Sequence, residues 1–189
     1  NVSAPTAFTL TVDTVILPPV ISSVTDDQAP VTGAIANGGA TNDTTPTFTG
    51  TVEAGATLTV AVNGGAATSV TVNGSNWTFS PSTPLLNGTY TFAFVATDAA
   101  GNVSAPTTFT LTVDTVAPAA PVIASVTDNV SPVTGPIVDG GITNDTTPTF
   151  TGTVEAGATL TVAVNGGAAT PVTVTGSNWT YTPAALANG

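Results

Sequence analysis

The chain has 189 residues, 11 of them Asp or Glu and none Lys, Arg or His, giving a net charge of -11. Phosphate recognition runs on Lys and Arg, so this balance argues against nucleic acid and anionic membrane as partners and points to cations instead. With no Cys and no imidazole, disulfides and thiolate or His metal sites are excluded, and any bound metal must be a hard, oxygen-ligated ion, Ca²⁺ rather than Zn²⁺.

Hydrophobic residues make up 41% of the chain, enough for a packed core, and no apolar run is long enough to cross a bilayer. Taken from its first residues, the pattern is that of strands. Phe8, Leu10 and Val12 alternate with Thr, which predicts a strand over residues 7–12 that runs into a VDTV linker. Seven further strands are expected at residues 20–25, 45–53, 57–63, 69–72, 76–80, 89–97 and 106–113. Their apolar residues recur every second position, as in Phe48, Gly50 and Val52, in Tyr90, Phe92 and Phe94, and in Phe109, Leu111 and Val113. Asn63-Gly64, Asn73-Gly74 and Asn87-Gly88 supply residues that tolerate positive φ where strands reverse. Residues 26–43, rich in Gly, Pro and Asn, read as one long loop across an end of the fold. Helical spacing is absent.

Internal similarity organises these elements. The stretch from Thr41 to Ser80 returns almost unchanged from Thr143 to Thr182, a period of about 102 residues. NVSAPTAFTLTVDTV at Asn1 likewise returns as NVSAPTTFTLTVDTV at Asn102. The predicted fold is therefore all-β, with tandem immunoglobulin-like β-sandwiches: residues 1–16 as the last strand and linker of a preceding repeat, 17–116 as a complete repeat, and 117–189 as a second repeat that stops before its last two strands. The chain reads as an internal window of a tandem array.

With no basic partner, each carboxylate must meet water, amides or an added cation. Asp13 in the linker, Glu53 in the EAGA turn and Asp98 in TDAAGN are expected to converge where one domain meets the next. Asp114 and Glu155 recur at the following junction. Two unit charges about 4 Å apart repel by about 4 kcal/mol at an effective dielectric of about 20, and a bound Ca²⁺ reverses that sign. One Ca²⁺ per junction is therefore expected, stiffening the hinge. At the opposite end Asp26, Asp27 and Asp43, with Asp128, Asp139 and Asp145 in the second copy, are candidates for a loop Ca²⁺. The alternative for this second group is that each Asp caps a turn by accepting backbone N–H groups.

The segments VDTVAPAAPVI, SVTDN, TNDTTPTFTG, VEAGATL and TDAAGNVSAP, in this order, resemble the bacterial immunoglobulin-like extender repeats of giant surface adhesins, some of them of the repeats-in-toxin type. The similarity covers the whole chain. It implies an extracellular or cell-surface setting, a structural role in cell adhesion or biofilm formation, and Ca²⁺ at domain junctions that rigidifies a fibre. The same role is implied for Asp13, Glu53 and Asp98, and for Asp114 with Glu155. The partners implied are neighbouring repeats of the same chain, with lateral copies as a further possibility. Two departures stand out: the first linker reads VDTVILPP where the second reads VDTVAPAAP, and Lys is wholly missing.

Other functions find less support in the residues. Glycoside hydrolysis needs two carboxylates flanking a sugar, and nothing selects such a pair. No His, Lys or Cys serves other acid–base or nucleophilic schemes, so no catalytic residue is assigned. Trp77 and Trp179 could stack on a sugar, but their alignment with Phe79 and Tyr181 reads as core. Thr108, Thr110 and Thr112 could face an ordered surface, and Thr is equally an ordinary solvent-facing strand residue. Open strand edges at both ends leave a self-assembling filament as an alternative.

Overall fold

The computed structural model describes residues 3–188 and divides into two units, Asn1–Thr115 and Val116–Gly189. In the first unit, nine strands follow one another: β1 (Val20–Asp26), β2 (Gly33–Ala34), β3 (Ala40–Thr41), β4 (Thr47–Thr51), β5 (Thr57–Val62), β6 (Thr68–Asn73), β7 (Asn76–Phe79), β8 (Gly88–Thr97) and β9 (Thr107–Val113). They pair in the order β2-β1-β4-β7-β6-β5-β8-β9-β3. Strand β6 belongs to both halves of this path. Its start pairs Val70 with Leu58 of β5, and its end pairs Val72 with Trp77 of β7, so the chain folds over at β6 into two facing layers. The all-β sandwich expected from the alternation is thus the observed architecture.

The alternation sets the core. Phe48 and Trp77 point inward from one layer, and Phe92, Phe94 and Leu111 from the other, all of them buried. The Phe48 ring lies 4.5 Å from Phe92 and 5.6 Å from Phe109, and Trp77 stacks on Phe94 at 4.8 Å. Each such side chain contributes about 1.5–3 kcal/mol by leaving water. Trp77 is therefore a core residue, 2% exposed, as its alignment with Phe79 suggested. At the start of β8, the Tyr90 hydroxyl donates to the Leu86 carbonyl at 3.0 Å and accepts the Leu86 N–H at 3.1 Å, fixing the corner by which the chain enters that strand.

All seven strands expected in residues 20–113 are present. Two readings are corrected. Residues 26–43 are not one unstructured loop, because β2 pairs with β1 in the first layer and β3 pairs in parallel with β9 in the second. The segment 37–41 is stitched to β9 by Gly38 N–H to Thr110 O at 2.7 Å, Thr112 N–H to Gly39 O at 2.9 Å and Asp114 N–H to Thr41 O at 2.9 Å. Two-residue strands carry too little alternation to be seen in sequence. Residues 7–12, expected as a strand, are unpaired, with Phe8 88% exposed.

The second unit repeats the first layer: β10 (Val122–Asp128), β11 (Gly135–Pro136), β12 (Thr149–Thr153), β13 (Leu160–Val162), β14 (Thr170–Val172), β15 (Val174–Thr175) and β16 (Asn178–Tyr181). A sheet of order β11-β10-β12-β16-β15 stands beside the β13–β14 hairpin. Counterparts of β8 and β9 are absent from the described residues. Phe150, at the position of the fully buried Phe48, is accordingly half-buried.

Gly50 shows how tightly the layers close. A Cβ there would collide with the Val20 carbonyl and the Trp77 ring, and Gly152 faces Val122 and Trp179 in the same way. Gly64, by contrast, has open space around it and requires only its φ of 71°. Gly50→Ala should destabilise the first unit by on the order of 3 kcal/mol through overpacking against backbone. Gly64→Ala should cost only about 1–2 kcal/mol through its positive φ. Chemical denaturation of both variants checks the ranking, and equal losses would contradict it.

Candidate functional site

Asp26 ends β1, Thr41 ends β3 and Asp43 precedes β4, and all three are buried. The Thr41 hydroxyl donates to Asp26 Oδ2 at 2.6 Å, and Gln28 N–H donates to Asp26 Oδ1 at 2.8 Å. Asp43 accepts the Thr45 N–H at 2.7 Å on Oδ1 and the Asp27 N–H at 3.4 Å on Oδ2, while its own N–H donates to the Thr41 hydroxyl at 3.0 Å. Because β3 pairs with β9, the Asp26–Thr41 bond joins β1 of one layer to the edge strand of the other. The second unit copies the arrangement in Asp128, Thr143 and Asp145, with Thr143 donating to Asp128 Oδ2 at 2.6 Å and Thr147 N–H to Asp145 Oδ1 at 2.8 Å.

Buried carboxylates placed this way have their oxygens turned to N–H and O–H donors. Of the six loop residues expected to hold Ca²⁺, Asp26, Asp43, Asp128 and Asp145 act as caps and clasps, and Asp27 and Asp139 are exposed. Among the described residues no three carboxylates form a group that could hold a metal ion. Asp139 stands where the first unit has Asn37, whose Oδ1 accepts the Thr110 N–H at 2.7 Å. That position in the repeat thus serves to hold β9.

The linker site is built differently. Asp98, half-buried after β8, accepts the Asn102 N–H at 2.8 Å and the Asn102 Nδ2 at 2.7 Å. The Asn102 side chain, chiefly, and backbone N–H groups of residues 100–102 hold its carboxyl below the ordinary 3.8, against the opposing effect of burial. The same Asn102 Nδ2 donates to the main-chain carbonyl of Asp13 at 3.1 Å. Two further contacts fix the incoming linker: Ile16 is buried in the core, and the Thr107 hydroxyl donates to the Pro19 carbonyl. The main chain of Asp13 and the carboxylate of Asp98 are therefore brought to one side chain, while Glu53 is exposed in the turn after β4 and is not part of any group of three carboxylates among the described residues. In the second unit Glu155 accepts the Ala119 N–H of the following linker at 3.1 Å. Asp114, at the end of β9, is exposed and has its N–H on Thr41 O. Asn102 was not singled out from the sequence. Its signal is the DAAGN spacing, a turn whose Asp must find donors.

The family model for the bacterial Ig-like domain matches residues 17–115 and again 121–189. The chain belongs to the bacterial Ig-like domain family. No curated protein matches it. Domains of this bacterial Ig-like family are typically found in extracellular or surface proteins and are typically non-catalytic, and among the described residues no helix is long and apolar enough to cross a membrane.

The carboxylates give these Ig-like units an acid limit. Asp145 is held below the ordinary 3.8 by the Thr147 and Asn129 amides and, less, by the Thr147 hydroxyl, with burial acting the other way. A depressed folded pKa adds stability above the unfolded value that is lost as pH falls through the folded one. Melting temperature should therefore stay level from neutral pH down to the ordinary 3.8 and fall steeply below it. Asp98→Asn and Asp145→Asn should each flatten that fall, and an unaltered profile in both would contradict the assignment. Asp43→Ala should cost about 2–3 kcal/mol by leaving buried amides unpaired, read by urea denaturation.

Proposed function

We propose that the chain is a structural extender segment of a bacterial cell-surface adhesin or fibre, in which tandem Ig-like units hold an adhesive part away from the cell in support of adhesion or biofilm formation. The observation that carries this reading is the pinned linker. Asn102, Ile16 and Pro19 tie the approach of the chain to the body of the first unit, as a load-bearing spacer requires and a loosely tethered binding module does not. The role is mechanical and non-enzymatic.

Ca²⁺ at this linker belongs to the same proposal. The buried loop carboxylates Asp26, Asp43, Asp128 and Asp145 suit it less, because N–H donors already face their oxygens. The linker residues fit better. Asn102 Nδ2 lies between two oxygens, Asp13 O and Asp98 Oδ2, and rotation of that amide exchanges Nδ2 for Oδ1. Asp98, Asn102 and the Asp13 carbonyl would then offer a cation three oxygens of the hard type Ca²⁺ prefers, with exposed carboxylates such as Asp13 and Glu53 adding negative potential. Bound there, the ion would cross-link the linker to the turn after β8. It would favour the folded, straightened state in proportion to its occupancy.

Calorimetric titration, thermal melting and small-angle scattering with Ca²⁺ and then chelator test this part. A rise in melting temperature with Ca²⁺ that Asn102→Ala abolishes is expected. No heat of binding and an unchanged scattering profile would remove Ca²⁺ from the account. Asn102→Ala should in addition raise hydrogen exchange in residues 13–16 without added ion. Unchanged exchange there would count against the pinned linker, and so against the extender reading itself.

A further inference from the structure

Four Asn–Gly pairs lie in the first unit, at residues 37–38, 63–64, 73–74 and 87–88, and all four Asn residues are exposed. In three of them the fold holds the amide. Asn37 Oδ1 accepts the Thr110 N–H at 2.7 Å, while the Gly38 N–H donates to Thr110 O at 2.7 Å. Asn63 Oδ1 accepts the Thr91 N–H at 2.8 Å, and Asn87 Oδ1 accepts the Thr115 N–H at 3.1 Å and the Thr115 hydroxyl at 2.8 Å. Asn73 differs. It ends β6, and among the described residues its side chain makes no hydrogen bond, nor does the N–H of Gly74 in the tight turn that leads into β7.

We propose that Asn73 is a site of self-modification, in which the side-chain amide is lost through attack by the neighbouring main chain, without any enzyme. The Gly74 nitrogen, once its proton has passed to hydroxide, attacks Asn73 Cγ. The new Cγ–N bond closes a five-membered succinimide ring, and the former amide nitrogen takes a proton from water and leaves as ammonia. Addition of water to one carbonyl then opens the ring. It gives Asp when the Cγ–N bond breaks, and isoaspartate when the bond between that nitrogen and the main-chain carbonyl carbon of residue 73 breaks. Water is consumed and ammonia released, with no oxidant, metal or partner.

The local geometry favours the step at this pair. Gly74 has no Cβ to block the approach and open space around it, with its φ of 64° setting the turn. An unheld amide brings Cγ to the nitrogen by rotation alone, whereas Asn37, Asn63 and Asn87 must first give up their hydrogen bonds. The consequence is electrostatic. Residues 54–97 contain no Asp or Glu, so the product places the first carboxylate in that stretch, and the isoaspartate form also adds a methylene to the main chain at the turn. The second unit repeats the hairpin as β15 and β16 but carries Thr175 where the first has Asn73, and Thr has no amide to lose. The inference rests on neither Ca²⁺ nor the extender reading.

Ageing the folded 189-residue chain at mildly alkaline pH and mapping it by mass spectrometry after chymotrypsin digestion tests the site, since trypsin has no Lys or Arg to cut at. Asn73 should convert first, yielding both Asp and isoaspartate with one ammonia released per site, and faster as pH rises. Asn37, Asn63 and Asn87 should convert about tenfold more slowly, a factor set by the hydrogen bonds that must open before attack. In urea the four rates should draw together. Asn73→Thr, a residue the second unit accepts at this position, should remove the early acidic species on anion exchange and leave the other three rates unaltered. Conversion at Asn73 no faster than at Asn63 overturns the proposal. A rate difference that persists undiminished in urea overturns it too.

Discussion

A carboxylate removed from water needs donors, and this chain has no cationic side chain to offer. That constraint shapes the structure more than any other. With Lys, Arg and His absent, the buried Asp residues are satisfied by backbone N–H and Thr hydroxyl groups, and the geometry that brings those donors together is the fold itself. Asp26 and Asp43 illustrate the outcome. Each sits where a strand ends or begins, each accepts an amide two residues ahead, and they share Thr41. The cluster is a clasp between two layers, because Thr41 belongs to the strand that runs beside β9.

The same logic operates at the linker with a different donor. Asn102 holds the Asp98 carboxylate and the Asp13 carbonyl with one amide nitrogen. An amide side chain can present either donor or acceptor, which an ammonium or guanidinium cannot. A junction built on Asn is therefore compatible with a cation as well as with its absence, where a Lys in the same place would exclude one. The loss of basic residues and the abundance of Asn at turns become parts of one arrangement.

How much of this was legible in the residues depended on range. The seven main strands of the first unit were readable because period-two alternation is a local signal, and Trp77 was placed in the core by its alignment with Phe79. Strands β2 and β3 were not readable, since two residues carry no period and exist only because β1 and β9 lie beside them. The strand expected at residues 7–12 has the right pattern, but among the described residues nothing pairs with it. Among the carboxylates, capping by Asp26 and Asp43 entered the sequence reading only as the alternative to a loop Ca²⁺, and the amides two residues ahead that they accept came from the folded backbone. The long-range bond from Asp26 to Thr41 and the role of Asn102 needed the folded backbone. Counting acidic residues near each pole overstated how closely they gather, because hydrogen-bond donors interpose.

The clasp is the central claim, and a double-mutant cycle on Asp26 and Thr41 tests it most directly. Stability would be measured for the parent chain, Asp26→Ala, Thr41→Val and the pair. A coupling of about 1.5–3 kcal/mol is expected for a buried hydrogen bond to a charged acceptor. Simple additivity, with coupling below about 0.3 kcal/mol, would mean that the two layers close without it and would contradict the account.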